Sequence, residues 1–315
     1  MNVVELTKSL ISCPSVTPNN EGVLDLLQKE LTDMGFTCNR YLFSDTDTPD
    51  VDNLFAKIGS GAPHLCFGGH TDVVPVGDEN AWSSNPFEAT EKNGKLYGRG
   101  ASDMKSAIAA FVSAVREYIE NNQVKGTISL LITNDEEGPA INGTRKVLEE
   151  IYKNGEKIDS CLVGEPTCPN NLGEMIKIGR RGSMTTTIKV SGKQGHVAYP
   201  EWTLNPINPL TSILNTLCNL ELDKGTEDFP PSNMEIVKIA SSDGATNIVP
   251  QTSTGTFNIR YNINHTKESL QSMINEVVSK NIDNSEYKVD VTFSNSAEPF
   301  LTEKGKFTEI VKSSV

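Results

Sequence analysis

The stretch Phe67-Gly68-Gly69-His70-Thr71-Asp72-Val73-Val74-Pro75 decides how this chain is read. Ahead of it, the apolar run His64-Leu65-Cys66-Phe67 reads as a buried strand, which two glycines then end. His70 and Asp72 follow two residues apart, so in extended backbone both side chains leave the same face. An imidazole and a carboxylate just past the end of a buried strand lie where open α/β sheets place their sites. Alone, the pair is more simply a half-buried histidine beside a loop carboxylate. The positions of other acidic groups change that. Glu136 and Glu137 close the apolar run Ile128–Thr133, and Glu165 follows Cys161-Leu162-Val163-Gly164. Three strand-like runs thus end in the same way, which randomly placed surface acids would not do.

Asp103, after Tyr97-Gly98-Arg99-Gly100-Ala101-Ser102, is expected at the start of a helix. The positive end of the helix favours a carboxylate there, so the residue reads either as a first-turn acid or as a ligand. One histidine, several carboxylates and no cysteine cluster suit a metal such as zinc, manganese or cobalt. The acids exceed the need of one ion, so a pair is expected, with Asp103 the natural bridge. Of Glu136 and Glu137, one can bind metal while the other takes a proton from water. Asp72 can accept the distal ring N–H of a metal-binding His70 and fix its tautomer.

Outward from this centre, the pattern alternates. Helices are expected at Val3–Leu10, at 21–34 with Gly35 as its C-cap, at 103–120 and at 143–153. Strands are expected at 36–43, 53–58, 64–67, 126–133 and 159–163, which predicts a mixed, mostly parallel α/β sheet covered by helices. The acidic segment 44–50 reads as a solvated turn, because it lacks the glycine and closing glutamate of a calcium loop. Trp82 and Phe87 read as loop anchors, and Gly94–Gly100 matches neither phosphate-binding signature. After Gly179-Arg180-Arg181-Gly182 the order becomes β-α-β-β-α-β: strands Thr185–Val190, Glu235–Ala240, Thr254–Tyr261 and Tyr287–Phe293, with helices at Pro209–Leu220 and 267–280. This is the split-βαβ, ferredoxin-like order of a compact inserted α+β domain.

A chain of 315 residues accommodates two such cores. Its net charge of −13, from 28 basic and 41 acidic residues, argues against nucleic acid as a partner. No apolar run is long enough for a membrane span, and the N-terminus lacks a signal-peptide pattern. Six scattered cysteines, at 13, 38, 66, 161, 168 and 218, read as free thiols in a reducing cytoplasm, with Cys66 and Cys161 buried in strands.

Taken together, several motifs resemble the M20 family of dinuclear-zinc amidohydrolases. They are Gly69-His70-Thr71-Asp72-Val73-Val74-Pro75, Trp82…Pro86-Phe87, Tyr97–Lys105, Asp135-Glu136-Glu137 and Val163–Thr167, then Gly179–Ser183, Gly195–Pro200 and Asn247-Ile248-Val249-Pro250. The resemblance runs essentially to Thr302 and is strongest to the branch acting on succinylated diamino acids. It implies a catalytic zinc-binding domain over 1–180, an inserted dimerisation domain over 181–293 and a returning segment from 294. It implies two Zn2+ per subunit, with Co2+ or Mn2+ as substitutes. His70 and Glu165 would bind separate ions, Asp103 would bridge them and Glu137 would complete the first. Asp72 would orient His70, and Glu136 would be the general base. His196 would reach across a homodimer to stabilise the oxyanion in the second copy. Arg181, Asn247 and Arg260 would contact a small N-acylated amino-acid substrate, whose carboxylates suit guanidinium forks. The implied reaction is amide hydrolysis.

The family pattern continues beyond Val315 with a further histidine ligand, whereas this sequence ends inside an expected helix at 303–313. The expectation is a truncated chain whose second metal site is weakened. Two alternatives stand beside succinyl-amide hydrolysis: a related deacylase acting on an acetyl amide, and a non-catalytic homodimer that keeps the fold.

Overall fold

The computed structural model describes residues 1–242, 244–282 and 284–315. They form two compact units, Met1–Asn170 and Asn171–Val315. In the first, α1 (Val3–Ile11) and α2 (Val23–Asp33) precede β1 (Thr37–Asp45), β2 (Thr48–Ser60) and β3 (His64–His70). A small hairpin, β4 (Thr90–Lys92) and β5 (Lys95–Tyr97), leads to α3 (Ser106–Asn121). Then come β6 (Gly126–Thr133), α4 (Thr144–Lys153) and β7 (Ser160–Val163).

The five-stranded sheet has the order β1-β2-β6-β3-β7. It is mixed, with β1-β2 and β2-β6 antiparallel and β6-β3 and β3-β7 parallel. Alternation along the strands sorts the side chains into two cores. Leu54, Ala56, Phe67, Leu130 and Ile132 pack with apolar residues of α1, α2 and α3, whereas Phe55, Cys66 and Leu131 pack with Val147 and Ile151 of α4. On α2, the helical spacing of Leu24, Leu27 and Leu31 buries all three, each worth roughly 1.5–3 kcal/mol. Gly35 follows that helix at φ +90°, a conformation that glycine adopts without steric cost. Because β6, β3 and β7 run parallel, their C-terminal ends lie at one end of the sheet, and the chemistry-bearing loops leave from there.

Two local expectations are corrected. Asp103 does not open a helix. It lies in the turn Ala101–Lys105 at φ −127° and ψ 101°, with α3 beginning only at Ser106. The turn presses the Met104 side chain into the core, fully buried, so the carboxylate is placed by extended backbone rather than by a helix N-terminus. Cys161 is exposed, not buried. It lies on β7, which pairs only with β3 among the described residues, while α4 packs over β6 and β2.

The second unit comprises β8 (Gly179–Arg180), β9 (Gly182–Ser191), β10 (Gly195–His196), α5 (Ile207–Cys218), β11 (Asn233–Ser241), β12 (Ile248–Val249) and β13 (Thr252–Tyr261). It continues with α6 (Lys267–Asn281), β14 (Lys288–Ala297), β15 (Phe300–Leu301) and α7 (Lys306–Ser314). Its main sheet, β11-β13-β9-β14, is antiparallel throughout. The elements β9-α5-β11-β13-α6-β14 follow the expected split-βαβ order. Met184, Ile188, Phe257 and Ile259 form one core with Leu210, Ile213 and Leu214 of α5 and with Leu270 and Ile274 of α6. The helices therefore cover one face of the sheet, as the partial alternation of β13 predicts.

The loop between α5 and β11 is fastened by Asp223. Its carboxylate accepts N–H bonds from Gly225 at 2.6 Å, Ser232 at 3.2 Å and the Asn262 side chain at 2.7 Å, and it lies 3.1 Å from His265 Nε2. Burial works to raise its pKa, but the hydrogen bonds from Ser232, Asn262 and Gly225 outweigh burial and bring it down to about 2. Among the described residues, no helix is long and apolar enough to cross a membrane.

Candidate metal centre

His70 ends β3 and is buried. Its Nδ1 lies 2.9 Å from the backbone oxygen of Asp72 and 3.5 Å from that residue's Oδ1. Its Nε2 lies 3.0 Å from Asp103 Oδ1 and 3.3 Å from Glu165 Oε1. An Nδ1–H donated to the Asp72 carbonyl leaves Nε2 as the ring atom facing the carboxylates. Burial opposes charge on this ring, yet the Asp72 and Glu165 carboxylates outweigh it and hold the pKa up at about 11. A site that favours positive charge so strongly at a ring nitrogen is suited to a cation.

Asp72 does more than face His70. Its fully buried carboxylate accepts the backbone N–H of Glu136 at 3.2 Å through Oδ1 and of Glu137 at 3.0 Å through Oδ2. One side chain thereby fixes the loop after β3 against the loop after β6. Two further residues of that second loop were given no role by sequence reasoning, Asp135 having been named only within a motif. The Asp135 carboxylate accepts N–H bonds from Ala140, Ile141 and Asn142 at 2.8–3.2 Å. Asn134 accepts from the Thr71 hydroxyl at 3.1 Å and donates to the Asn19 carbonyl at 2.7 Å. An Asn-Asp pair directly after a strand and ahead of a glycine-containing loop is the signal that could have found them, since such side chains bond nearby backbone. Lys105, fully buried, donates to the Cys13 carbonyl at 2.7 Å, and burial holds its pKa down to about 8.

The remaining acids crowd one another. Burial raises the Asp103 pKa, and the charge of Glu165 raises it further. Glu136 and Glu137 are also raised, first by burial and then by surrounding carboxylates, against the opposite pull of His70. One ligand atom each from His70, Asp103 and Glu165 lies within 4.8 Å of the others, and the same holds for His70, Glu136 and Glu137. The two sets share one imidazole, whose Nε2 can serve a single ion, so it is the surplus of carboxylates opposing each other's charge that leaves room for a second cation.

The other expected site residues lie in the second unit. His196, on β10, faces Ile248 of β12, and the Asn247 carbonyl accepts the Val197 N–H at 3.1 Å, so His196 and Asn247 are neighbours. Arg181 donates to the Asn233 side chain at 2.8 Å, and Asn233 is the ladder partner of Arg260. Both arginines line a cavity of about 710 Å³ together with Lys177 and Arg180.

Comparison with known proteins agrees with this chemistry. A family profile described as peptidase family M20/M25/M40 matches residues 66–315. A succinyl-diaminopimelate desuccinylase from Parvibaculum lavamentivorans is 49% identical over 308 residues, covering 98% of this chain and 78% of that protein. One from Pelagibacter ubique is 48% identical over 314 residues, covering 99% and 81%. Among solved structures, a tripeptidase from Staphylococcus aureus superposes with a TM-score of 0.77 at 18% identity, covering 99% of this chain and 80% of its own, a likeness of fold. With the motifs, the converging carboxylates and the profile match all on the same residues, the chain belongs to peptidase family M20/M25/M40.

Proposed function

We propose that this chain hydrolyses N-succinyl-LL-2,6-diaminopimelate to succinate and LL-2,6-diaminopimelate, a cytoplasmic step of diaminopimelate and lysine synthesis. The observation carrying this reading is the identity of 46–49% with succinyl-diaminopimelate desuccinylases over 98% or more of the chain. Its motif-bearing acids converge on His70, which supports the same reading.

His70, Asp103, Glu137 and Glu165 would hold two Zn2+ ions, with Co2+ or Mn2+ compatible with the same donors. His70 and Glu165 would serve separate ions, and Asp103 would be shared. When bound, such ions lower the pKa of a water and polarise the amide carbonyl. Glu136 takes the proton of the attacking water and returns it to the leaving amine. Asp72 orients His70 through its carbonyl and holds the backbone of both glutamates. Arg181 and Arg260 offer bidentate partners for substrate carboxylates, with Asn247 as a further polar contact. His196, delivered from a second copy, donates to the oxyanion of the tetrahedral intermediate. A homodimer is supported by the edge strand β11, which exposes Val237 and Ile239 by 63% and 62%.

The test is succinate release from N-succinyl-LL-2,6-diaminopimelate with added zinc, read beside zinc bound per chain, for the protein and Glu136→Ala. Release that falls by at least about a hundredfold in the variant, with metal content unchanged, is expected. No release with both metals bound would turn the assignment toward another acyl amide.

A further inference from the structure

Cys66 of β3 and Cys161 of β7 are rung partners in a parallel ladder. Partners on one rung point to the same face, and neighbouring strands lie about 4.8 Å apart, within the roughly 4.4–6.8 Å that disulfide-linked Cα atoms span. The two thiols differ sharply in surroundings. Cys66 is 1% exposed among Phe55, Leu131, Val147 and Ile151, whereas Cys161 is exposed on β7, the outer strand of this sheet among the described residues. The neighbouring Cys66 thiol and the Gly68 amide hold Cys161 below the ordinary thiol range against the opposing effect of burial, while the Cys66 S–H itself donates to the Phe67 carbonyl at 3.6 Å. The same pairing of thiols, with burial, raises Cys66. Elsewhere, burial pushes the thiols of Cys13 and Cys38 up. An accessible thiol that ionises readily, beside a second thiol on the same rung, is the arrangement of an attacking and a resolving cysteine.

We propose that Cys161 is a peroxide-sensitive modification site that Cys66 resolves, giving a reversible Cys66–Cys161 disulfide. The Cys161 thiolate attacks one oxygen of hydrogen peroxide. An S–O bond forms, the O–O bond breaks and hydroxide leaves, so sulfur is oxidised to the sulfenic acid and peroxide is reduced. The Cys66 sulfur then attacks the sulfenic sulfur. The S–S bond forms, the S–O bond breaks, and the Cys66 proton leaves with the departing hydroxide as water. Facing Cβ atoms in a parallel ladder stand wider than the roughly 3.8 Å mean of a disulfide, so the strands must draw together. Such a bond is readily reduced by a dithiol, as befits a transient link in a reducing compartment. It would join the strands that deliver His70 and Glu165, each four residues further on.

The experiment treats the full chain with a modest molar excess of hydrogen peroxide and reads intact mass and non-reduced peptide maps. The expected result is a loss of two hydrogens, a peptide pair joining Cys66 to Cys161, and reversal by dithiothreitol. Cys66→Ser should instead accumulate oxygen at Cys161, trapped by dimedone, and Cys161→Ser should leave Cys66 unoxidised. Oxidation of Cys13, Cys38, Cys168 or Cys218 with no Cys66–Cys161 peptide pair overturns the proposal, as does an unchanged mass. The map of the unaltered protein decides the question even if a variant folds poorly. Because the readout is mass, the proposal stands or falls apart from the reaction assigned above.

Discussion

The Asp72, Asp135 and Asp223 carboxylates are held by backbone N–H groups, and that determines what each can do. Asp72 is committed on both oxygens to the amides of Glu136 and Glu137, and Asp223 does the equivalent work in the second unit. An aspartate whose folded pKa lies at about 2, below the ordinary 3.8, adds stability that is fully present above about pH 4 and is lost as pH falls through its folded value. Allowing for solvent screening in a loop, that contribution is about 1–2 kcal/mol. Asp223→Asn should therefore lower the midpoint of urea unfolding at neutral pH, with the two proteins converging as pH falls toward 2. Curves that stay equally separated down to that pH would mean that the carboxylate's charge is not what matters. At this scale the sequence was informative about residue type and position. His70, the glutamate pair and Glu165 stood out as residues that follow strands, whereas Asp103 was read from a helix start that the structure does not form. The partners of Asp72 were not, because hydrogen bonds to backbone leave no imprint on the identity of the residues that donate them.

At the scale of elements, the candidate metal centre depends on how closely the end of β7 approaches α3. Gly164 stands directly before Glu165, and a Cβ there would meet the Phe67 ring at 2.6 Å and the Ala107 methyl and Met104 Cε at 2.9 Å. Neither the strand nor the first turn of α3 has slack to absorb it, since Phe67 and Met104 are core residues. Gly164→Ala should cost roughly 1–3 kcal/mol of stability and displace Glu165, so thermal unfolding and zinc titration should both shift. A variant that melts lower but binds zinc as before would separate packing from ligand placement. Most elements of both units were legible from periodicity, including the β-α-β-β-α-β run. The start of α3 was not: Ala101–Lys105 has helix-compatible residues, but burying Met104 pulls the backbone out of helical geometry, and a tertiary contact overrides local propensity. The exposure of Cys161 was missed for a related reason. An apolar tetrapeptide announces a strand without saying which neighbour covers it.

For the molecule as a whole, an excess of 41 acidic over 28 basic residues sets arginines and lysines apart as local features, and the cavity bearing Arg181 and Arg260 is one of these. Self-association through β11 has a direct check. Val237→Lys with Ile239→Lys places charge on an exposed apolar edge, and sedimentation should report a monomer with metal binding intact. A dimer that survives both changes would move the interface elsewhere. The order β6-β3-β7 carries a last consequence, for synthesis of the chain. His70 is made early and Glu165 much later, just after β7, the last of the described strands of this sheet to be made. A nascent chain, folding from its N-terminus as it emerges, exposes an imidazole with only some of its acids until β7 arrives. Under the proposed ligand assignment, His70, Asp103, Glu137 and Glu165 are therefore brought together only once β7 is in place.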